Sequence, residues 1–330
     1  RVDRLAPDRV ISHWKADGLD LSPLLHIPTS PWEQTRFCSK EQDHGLANSL
    51  DQKLIELARP ALQNKEKITI DTEVRNIHRT VGTLLGHEIT KIYGGSGLPK
   101  DTIEINMTGS GGQSLGAFIP SGMTMRLEGD TNDFLGKGLS GGRLIIRPPA
   151  SSHIDFVAED NIIAGNVLLY GATAGEVFIR GIVGERFCVR NSGAIAVVEG
   201  VGDHACEYMT GGKVIILGPT GRNFGAGMSG GMAYVYDPQG IFHRSLNTEM
   251  VDLEVFLSEE DTEFIREFLG HHAQETGSAI AEQVLQRWHQ NSRHFKKVMP
   301  KDYRRVLEAI GSAEEQGRNV EEAIMAASIR

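Results

Sequence analysis

Thirty of the 38 glycines in this 330-residue sequence fall between Gly94 and Gly240. That is about three times the usual glycine density of roughly 7%. So much glycine permits either disorder or a tight structural repeat. Disorder does not fit, because the glycines alternate with strongly β-forming runs rather than with polar filler. Seven such runs follow one another, at 122–129, 142–147, 165–171, 175–181, 193–200, 212–218 and 231–237. Their leading glycines are 20 residues apart from Gly122 to Gly142, and 18, 19 and 19 apart from Gly175 onward. The spacing around Gly165 is irregular, which places an insertion or an extra short rung there. One short strand per period of about 20 residues is the signature of a solenoid.

The inward face is legible as well. The second and fourth residues after the glycine are aliphatic in most runs: Leu144 and Ile146, Val177 and Ile179, Ile195 and Val197, Val214 and Ile216. Alternation with period two puts each pair on one face of its strand. Only the Gly122 run is shifted, by one residue, with Met123, Met125 and Leu127. The opposite face carries Ile145, Phe178, Ile215 and Tyr234, which the pattern leaves outward as a docking surface for a partner. Stacked coils put aliphatic residues inside and glycines at the corners, where the backbone needs φ > 0 or close approach. About seven coils at ~4.8 Å per rung make a rod roughly 35 Å long.

The flanks differ. Residues 1–40 read as the tail of a preceding domain or a linker, 41–95 as a helical and mixed lead-in, 96–250 as the glycine-rich solenoid and 251–330 as a helical segment. In the lead-in, Leu54, Ile55, Leu57, Ala58 and Ala61 have helical spacing that Pro60 should end or kink, and Ile68–Ile70 is a short strand. Past the repeat, Ser258 with Asp261 resembles a capping box before Phe264, Ile265, Phe268 and Leu269, with Gly270 ending that helix. Ile280, Val284, Leu285 and Trp288 mark a second helix, and Val306, Leu307 and Ile310 a third. Ser312 with Glu315 caps a fourth. These helices are expected to cover exposed strand edges.

Two segments match G-x-G-x-x-G: Gly136 to Gly141 and Gly225 to Gly230. A dinucleotide fingerprint must follow a strand and open a helix. Both segments instead run straight into β-forming residues. They are also aligned copies of each other, within 131–142 and 220–231. They are read as repeat turns, with Gly136, Gly138, Gly141, Gly142, Gly211, Gly212, Gly225, Gly227, Gly230 and Gly231 as structural glycines. No catalytic, cofactor-binding or metal-binding residue is assigned. The twelve histidines form no H-E-x-x-H, and His271-His272 reads as the close of a helix, where cations are favourable. His204 and Cys206 offer a nucleophile and a base, but a separation of two residues does not ensure a hydrogen bond, and a repeat turn is the larger reading. Cys38, Cys188 and Cys206 have no metal-ligand spacing and suit a reducing compartment.

The net charge of −9 argues against nucleic acid. The basic group Arg293, Lys296, Lys297, Lys301, Arg304 and Arg305 reads as a solvated helical face. No apolar run approaches the roughly 20 residues a membrane helix needs, and 1–9 lack a signal-peptide core. A cytoplasmic protein without a membrane partner is the expectation. The Arg1 start suggests a fragment or a processed chain.

Three segments carry a resemblance: 190–212, from Arg-Asn-Ser-Gly-Ala-Ile-Ala-Val-Val-Glu-Gly to Thr-Gly-Gly; Asn223–Gly231; and Asp133–Gly142. They resemble the C-terminal, G-x-G-x-G domain of the glutamate synthase large subunit, as do 276–288 and Phe295–Pro300, and the likeness runs from about 75 to 305. The resemblance implies a mainly β fold, a right-handed parallel β-helix with flanking α-helices. It implies a parent enzyme that moves the amide nitrogen of glutamine onto 2-oxoglutarate to make glutamate. The family's FMN and iron–sulfur cluster would lie in other domains, since this sequence has no close cysteine cluster and no N-terminal cysteine. The chain itself is then architectural and inactive alone. Its partners would be the amidotransferase and FMN catalytic domains, with a small reductase subunit as a further partner the resemblance allows. The alternative is a stand-alone β-helix subunit of another multi-subunit oxidoreductase, such as the one in formylmethanofuran dehydrogenase; the tail after Leu253 argues against it. A polysaccharide-acting β-helix enzyme would need a repeat-aligned column of charged outer residues, which is lacking.

Overall fold

The computed structural model describes Pro23, His26, 38–149, Ser152 and 156–328. The chain divides into two compact units, Arg1–Leu46 and Ala47–Arg330. In the first, Gly45 N–H donates to Asp43 Oδ1 at 2.8 Å and Cys38 is exposed. Nearly all of the expected 1–40 tail lies outside the described residues.

The second unit is organised around a 12-stranded sheet. Its strands are β1 (Ile68–Val74), β2 (Ile103–Gly111), β3 (Met123–Thr131), β4 (Ser140–Arg147), β5 (Ile162–Ala164), β6 (Ala174–Ile179), β7 (Ile182–Val183), β8 (Ser192–Val198), β9 (Thr210–Ile216), β10 (Gly230–Tyr236), β11 (Val251–Glu254) and β12 (Phe295–Pro300). They run in the order β1-β2-β3-β4-β6-β8-β9-β10-β12-β11, with β5 paired to β3 and β7. Pairing is parallel from β1 to β10; β12 is antiparallel to both β10 and β11. Register stacks Ile70, Ile105, Met125, Leu144, Val177, Ala196, Val214, Ala233 and Val298 in one column, all buried. Each fully buried side chain of Val, Ile, Leu or Met size contributes about 1.5–3 kcal/mol, so this column is a major part of what holds the sheet together.

Eight helices accompany the sheet among the described residues of this unit: α1 (Leu50–Leu57), α2 (Arg59–Asn64), α3 (Thr83–Tyr93), α4 (Glu259–Thr276), α5 (Ala279–Gln286), α6 (Trp288–Asn291), α7 (Lys301–Glu315) and α8 (Val320–Ser328). Pro60 does end α1 and opens α2, where its missing N–H needs no partner. Buried Asp51 of α1 accepts from the amides of Gly82, Leu84 and Leu85 at 2.8, 2.7 and 3.3 Å, so one carboxylate satisfies three orphan donors at the start of α3. Leu85 and Ile89 of α3 then join the main core. The Ser258–Asp261 capping box is formed, with both of its hydrogen bonds, at the start of α4.

The expected mainly β, right-handed parallel β-helix of about seven coils is overturned. Helix makes up 33% and strand 28%, and the sheet is mixed rather than parallel. The repeat announces β3, β4, β6, β8, β9 and β10, while its run at 165–171 is a turn with left-handed Val167, Leu169 and Gly171 rather than a strand. The sheet continues beyond these strands through β2 and β1 at one end and through the antiparallel β12 and β11 at the other, none of which belongs to the glycine-led runs. Phe295–Pro300 sits inside a segment read as helical, because its alternation is too short to separate from the helices on either side.

Several local readings change too. α4 runs through Gly270 to Thr276 and stops at Gly277, whose φ is 68°. Helical spacing resumes after Gly270, so His272 is buried within α4 rather than closing it. Ser312 lies within α7; α8 begins after Asn319, whose side chain accepts from the Glu321 amide at 2.9 Å. In β8 the core column takes Ala194, Ala196 and Val198, not Ile195 and Val197. Asn191 causes the slip: its side chain bonds the Gly193 and Ala194 amides and the Ala194 carbonyl, absorbing one residue before the ladder resumes.

Candidate functional site

Ile145, Phe178, Ile215 and Tyr234 are not a docking surface. With Val197 they are buried beneath α4 and α5, against Ile265, Phe268, Leu269, Ala281 and Val284. Phe178 stacks on Phe268 with centroids 6.4 Å apart. An apolar outer column cannot stay wet without penalty, and the helical segment of the same chain covers it. Toward β1 and β2, where Asp71 is exposed, the outer column turns polar: Asn106 donates to Asp71 at 2.9 Å. Between these regions Arg126 bridges Glu104 (2.9 Å) and Glu275 (3.3 Å), while Arg143 bridges Glu275 (3.0 Å) and Glu176 (2.7 Å). This chain of ion pairs locks the C-terminal end of α4 to the sheet.

The G-x-G segments lie on another edge. In six successive turns every second residue is left-handed: Ser114, Gly116 and Phe118; Phe134, Gly136 and Gly138; Val167, Leu169 and Gly171; Arg186, Cys188 and Arg190; His204, Cys206 and Tyr208; Asn223, Gly225 and Gly227. In the first five triplets the first and third amides donate to the next turn, and in all six the middle amide donates to a preceding segment. Phe134, Gly136 and Gly138 thus donate to Asn166, Leu115 and Tyr170, each at 2.9 Å. The amides of Gly136, Gly138 and Gly225 are already committed, and β4 or β10 follows rather than a helix, so neither G-x-G segment has the strand–turn–helix geometry of a dinucleotide fingerprint.

Gly227 shows why glycine is needed at some of these places. Its φ is 66°, and a Cβ there would meet Tyr208 Cε1 at 2.5 Å. Gly138 has the same relation to Phe118. Gly141 and Gly142 close over Ser121 and Ile119, Gly211 over the Ser192 carbonyl, Gly212 over Ala194, Gly230 over the Thr210 carbonyl and Gly231 over Gly211. Gly225 has more room, its nearest neighbour being Val298 at 3.6 Å.

His204 and Cys206 are sent apart. His204 Nδ1 pairs with Glu207 at 2.7 Å, while Cys206 is buried in the main core. Burial pushes the Cys206 thiol up, and burial followed by the neighbouring Cys206 does the same to Cys188. Neither is an available thiolate. Among the described residues no group of three or more His, Cys, Asp and Glu could hold a metal ion.

The basic group of the C-terminal segment is not one solvated face. Lys297 is buried on β12, 2.9 Å from Asp261, and Asp261 accepts from Tyr234 Oη at 2.7 Å. Burial pushes the Asp261 carboxyl up, but the hydrogen bonds from Tyr234 and Lys297 and the Lys297 charge outweigh it and hold it below the ordinary range. Burial and the bond to Asp261 push the Tyr234 hydroxyl far up, keeping it a donor. Arg304 pairs with Asp252 and Glu254, Arg305 with Asp302, and Lys301 donates to the Thr248 and Glu249 carbonyls.

A further buried carboxylate, at the end of β8, was missed in the sequence. Glu199 is fully buried beneath the junction of α4 and α5. Its Oε1 accepts from Ser278 Oγ, the N-cap of α5, and lies 3.4 Å from His272 Nε2. Its Oε2 has no hydrogen-bond partner among the described residues. Glu199 also lines a cleft of about 690 Å³, walled by Leu217, Tyr236 and Ile280. The one signal in the sequence was a lone acid directly after three apolar residues, Ala196, Val197 and Val198.

The GXGXG motif family matches residues 51–301. The chain is 49% identical over 323 residues to glutamate synthase [NADH] of Schizosaccharomyces pombe, covering 97% of this chain and 15% of that protein. It is 46% identical over 328 residues to the glutamate synthase [NADPH] large chain of Bacillus subtilis, covering 98% and 21%. With ferredoxin-dependent glutamate synthase 2 of Synechocystis it shares 39% over 316 residues, covering 94% and 20%. The chain therefore spans about a fifth or less of the length of these relatives. It belongs to the GXGXG motif family, in the form carried by glutamate synthase large chains.

Proposed function

We propose that this chain is the architectural domain of a glutamate synthase and does no chemistry by itself. The parent would transfer the amide nitrogen of glutamine to 2-oxoglutarate and yield glutamate. This domain would fix the relative positions of the amidotransferase and FMN domains, with FMN and an iron–sulfur cluster held outside it. The observation that carries the reading is the match along almost the whole of this chain to a minor share of glutamate synthase chains. The internal use of its side chains supports it. The helices cover the apolar outer face, and the buried acids and bases mostly pair with one another. A cytoplasmic location and a small reductase partner are parts of the same reading. Among the described residues no helix is long and apolar enough to cross a membrane.

The test is to remove these 330 residues from the parent and then supply them in trans. Glutamine-dependent glutamate formation should collapse on removal and recover in part on addition, while the chain alone stays inactive and colourless. A truncated parent with full activity, or a stoichiometric flavin or cluster absorbance in the isolated chain, would end the architectural reading.

A further inference from the structure

We propose that the cleft beside Glu199 is a socket for one basic side chain, a lysine or arginine carried by a polypeptide segment outside this chain. The proposal rests on the architectural reading and names one of its contacts. Glu199 Oε1 is held by Ser278 and faces His272, so the carboxylate cannot swing away. Oε2 is buried without a donor and belongs to a residue lining the cleft. A buried acceptor left unpaired is destabilising, more so when charged. An ammonium or guanidinium group supplies the missing donor.

The surroundings favour a cation. Glu159, Asp160 and Asp237 line the same cleft, with Arg244 the one cation among its lining residues; Arg180, next to Glu199 in the β6–β8 ladder, donates to the Thr276 carbonyl instead. Asp237 already accepts from the Ile241 and Phe242 amides, which fixes the loop but leaves its charge in place. Leu217 and Ile280 provide apolar wall for an alkyl stem, as long basic side chains require. The chain covers only 15–21% of the first two relatives, so the architectural reading leaves ample polypeptide to supply the side chain.

The experiment titrates the 330-residue chain with N-acetyl-lysine methylamide and N-acetyl-arginine methylamide, using the neutral norleucine analogue as control, and follows amide NMR shifts. One cationic probe should bind saturably and move the amides of Glu199, Leu217 and Ile280. Glu199→Gln keeps a carbonyl oxygen for Ser278 but puts an NH₂ where Oε2 stood, and should weaken that probe at least tenfold. Should Glu199→Gln lower the melting temperature, the rim variant Glu159→Gln/Asp160→Asn decides, with an expected several-fold weakening in a folded chain. No saturable shift, equal binding of the norleucine analogue, or cation binding unaffected by the variants overturns the socket. A second arm mixes the chain with the remainder of the parent. Loss of association by wild type and variant alike counts against the architectural reading; association unchanged by Glu199→Gln overturns the socket alone.

Discussion

The two faces of the same strands are built on different principles. The inner face is one aliphatic column from Ile70 to Val298. Its character does not change, because every position meets the same kind of neighbour. The outer face changes along the sheet: polar at Asp71 and Asn106, ion-paired at Arg126, apolar from Ile145 to Tyr234, charged again at Lys297. What covers each stretch decides its chemistry. The inner face is determined by repetition; the outer face is determined by whatever α4, α5 and β12 bring to it.

The largest expected effect tests whether the outer face is core. Phe178→Ala should destabilise the chain by about 3–5 kcal/mol, similar to or greater than Leu144→Ala on the inner face at about 2–5 kcal/mol. Urea denaturation of both variants measures this. A loss under about 0.5 kcal/mol for Phe178→Ala, as a surface site gives, would show that the helices do not seal that face.

The corners between strands come next. Gly211→Val drives a Cβ into the Ser192 carbonyl of the preceding strand and should cost about 1–3 kcal/mol. Gly317 has no atom within 4 Å of such a Cβ, so Gly317→Val should cost less, only the strain of φ 62°. Equal shifts in thermal midpoint would remove close approach as the reason for the corner glycine.

A smaller effect separates two buried aspartates, one serving each face. Asp261, on the outer layer, has a lowered folded pKa. Its contribution is present above the ordinary carboxylate pKa of about 3.9 and is lost as pH falls through the lower folded value. Asp51, at the end of the inner core, is raised: burial pushes it up more than the Gly82, Leu84 and Leu85 amides pull it down. Its folded form takes up a proton first on acidification, which opposes acid unfolding. Denaturation from pH 6 to 3 should therefore lose less stability in Asp261→Asn than in wild type, and more in Asp51→Asn. Parallel curves for the three proteins would contradict the opposite signs.

The smallest effect concerns the left-handed edge. Arg186 has φ 61° and is exposed. Left-handed backbone costs roughly 1–2 kcal/mol in a non-glycine residue, and glycine loses about 0.5–1 kcal/mol of backbone entropy in exchange. Arg186→Gly should thus gain about 0.5 kcal/mol, and calorimetry showing a loss would mean that the Arg186 side chain does something the backbone accounting omits.

Some of this was legible in advance. Alternation located strands after six of the seven leading glycines and, in most of those runs, their inner face, since period two is a local property of an extended chain; after Gly165 it misled, because 165–171 is a turn. The Ser258 capping box and the break at Pro60 were legible because each is closed within a few residues. Glu199, Asp261 and Lys297 were not, because their partners lie 79, 27 and 36 residues away along the chain. The left-handed edge was only partly visible: glycine marks Gly136, Gly138, Gly225 and Gly227, while Val167, Leu169, Cys188 and Cys206 hold the same backbone with no local sign of it.

By itself, the sequence determined a stack of short strands about 20 residues apart, with aliphatic side chains on one side and glycine where turns close over their neighbours, along with membership of the GXGXG motif family. The tertiary structure alone decided that the stack continues into β2, β1, β12 and β11 as a mixed sheet, and that α4 and α5 lie over Phe178 and Ile215. It alone left Glu199 one unpartnered oxygen beside an open cleft. The reason is range. Strand, turn and cap are set by neighbours along the chain, whereas the fate of an outward-facing residue depends on which distant segment comes to rest over it.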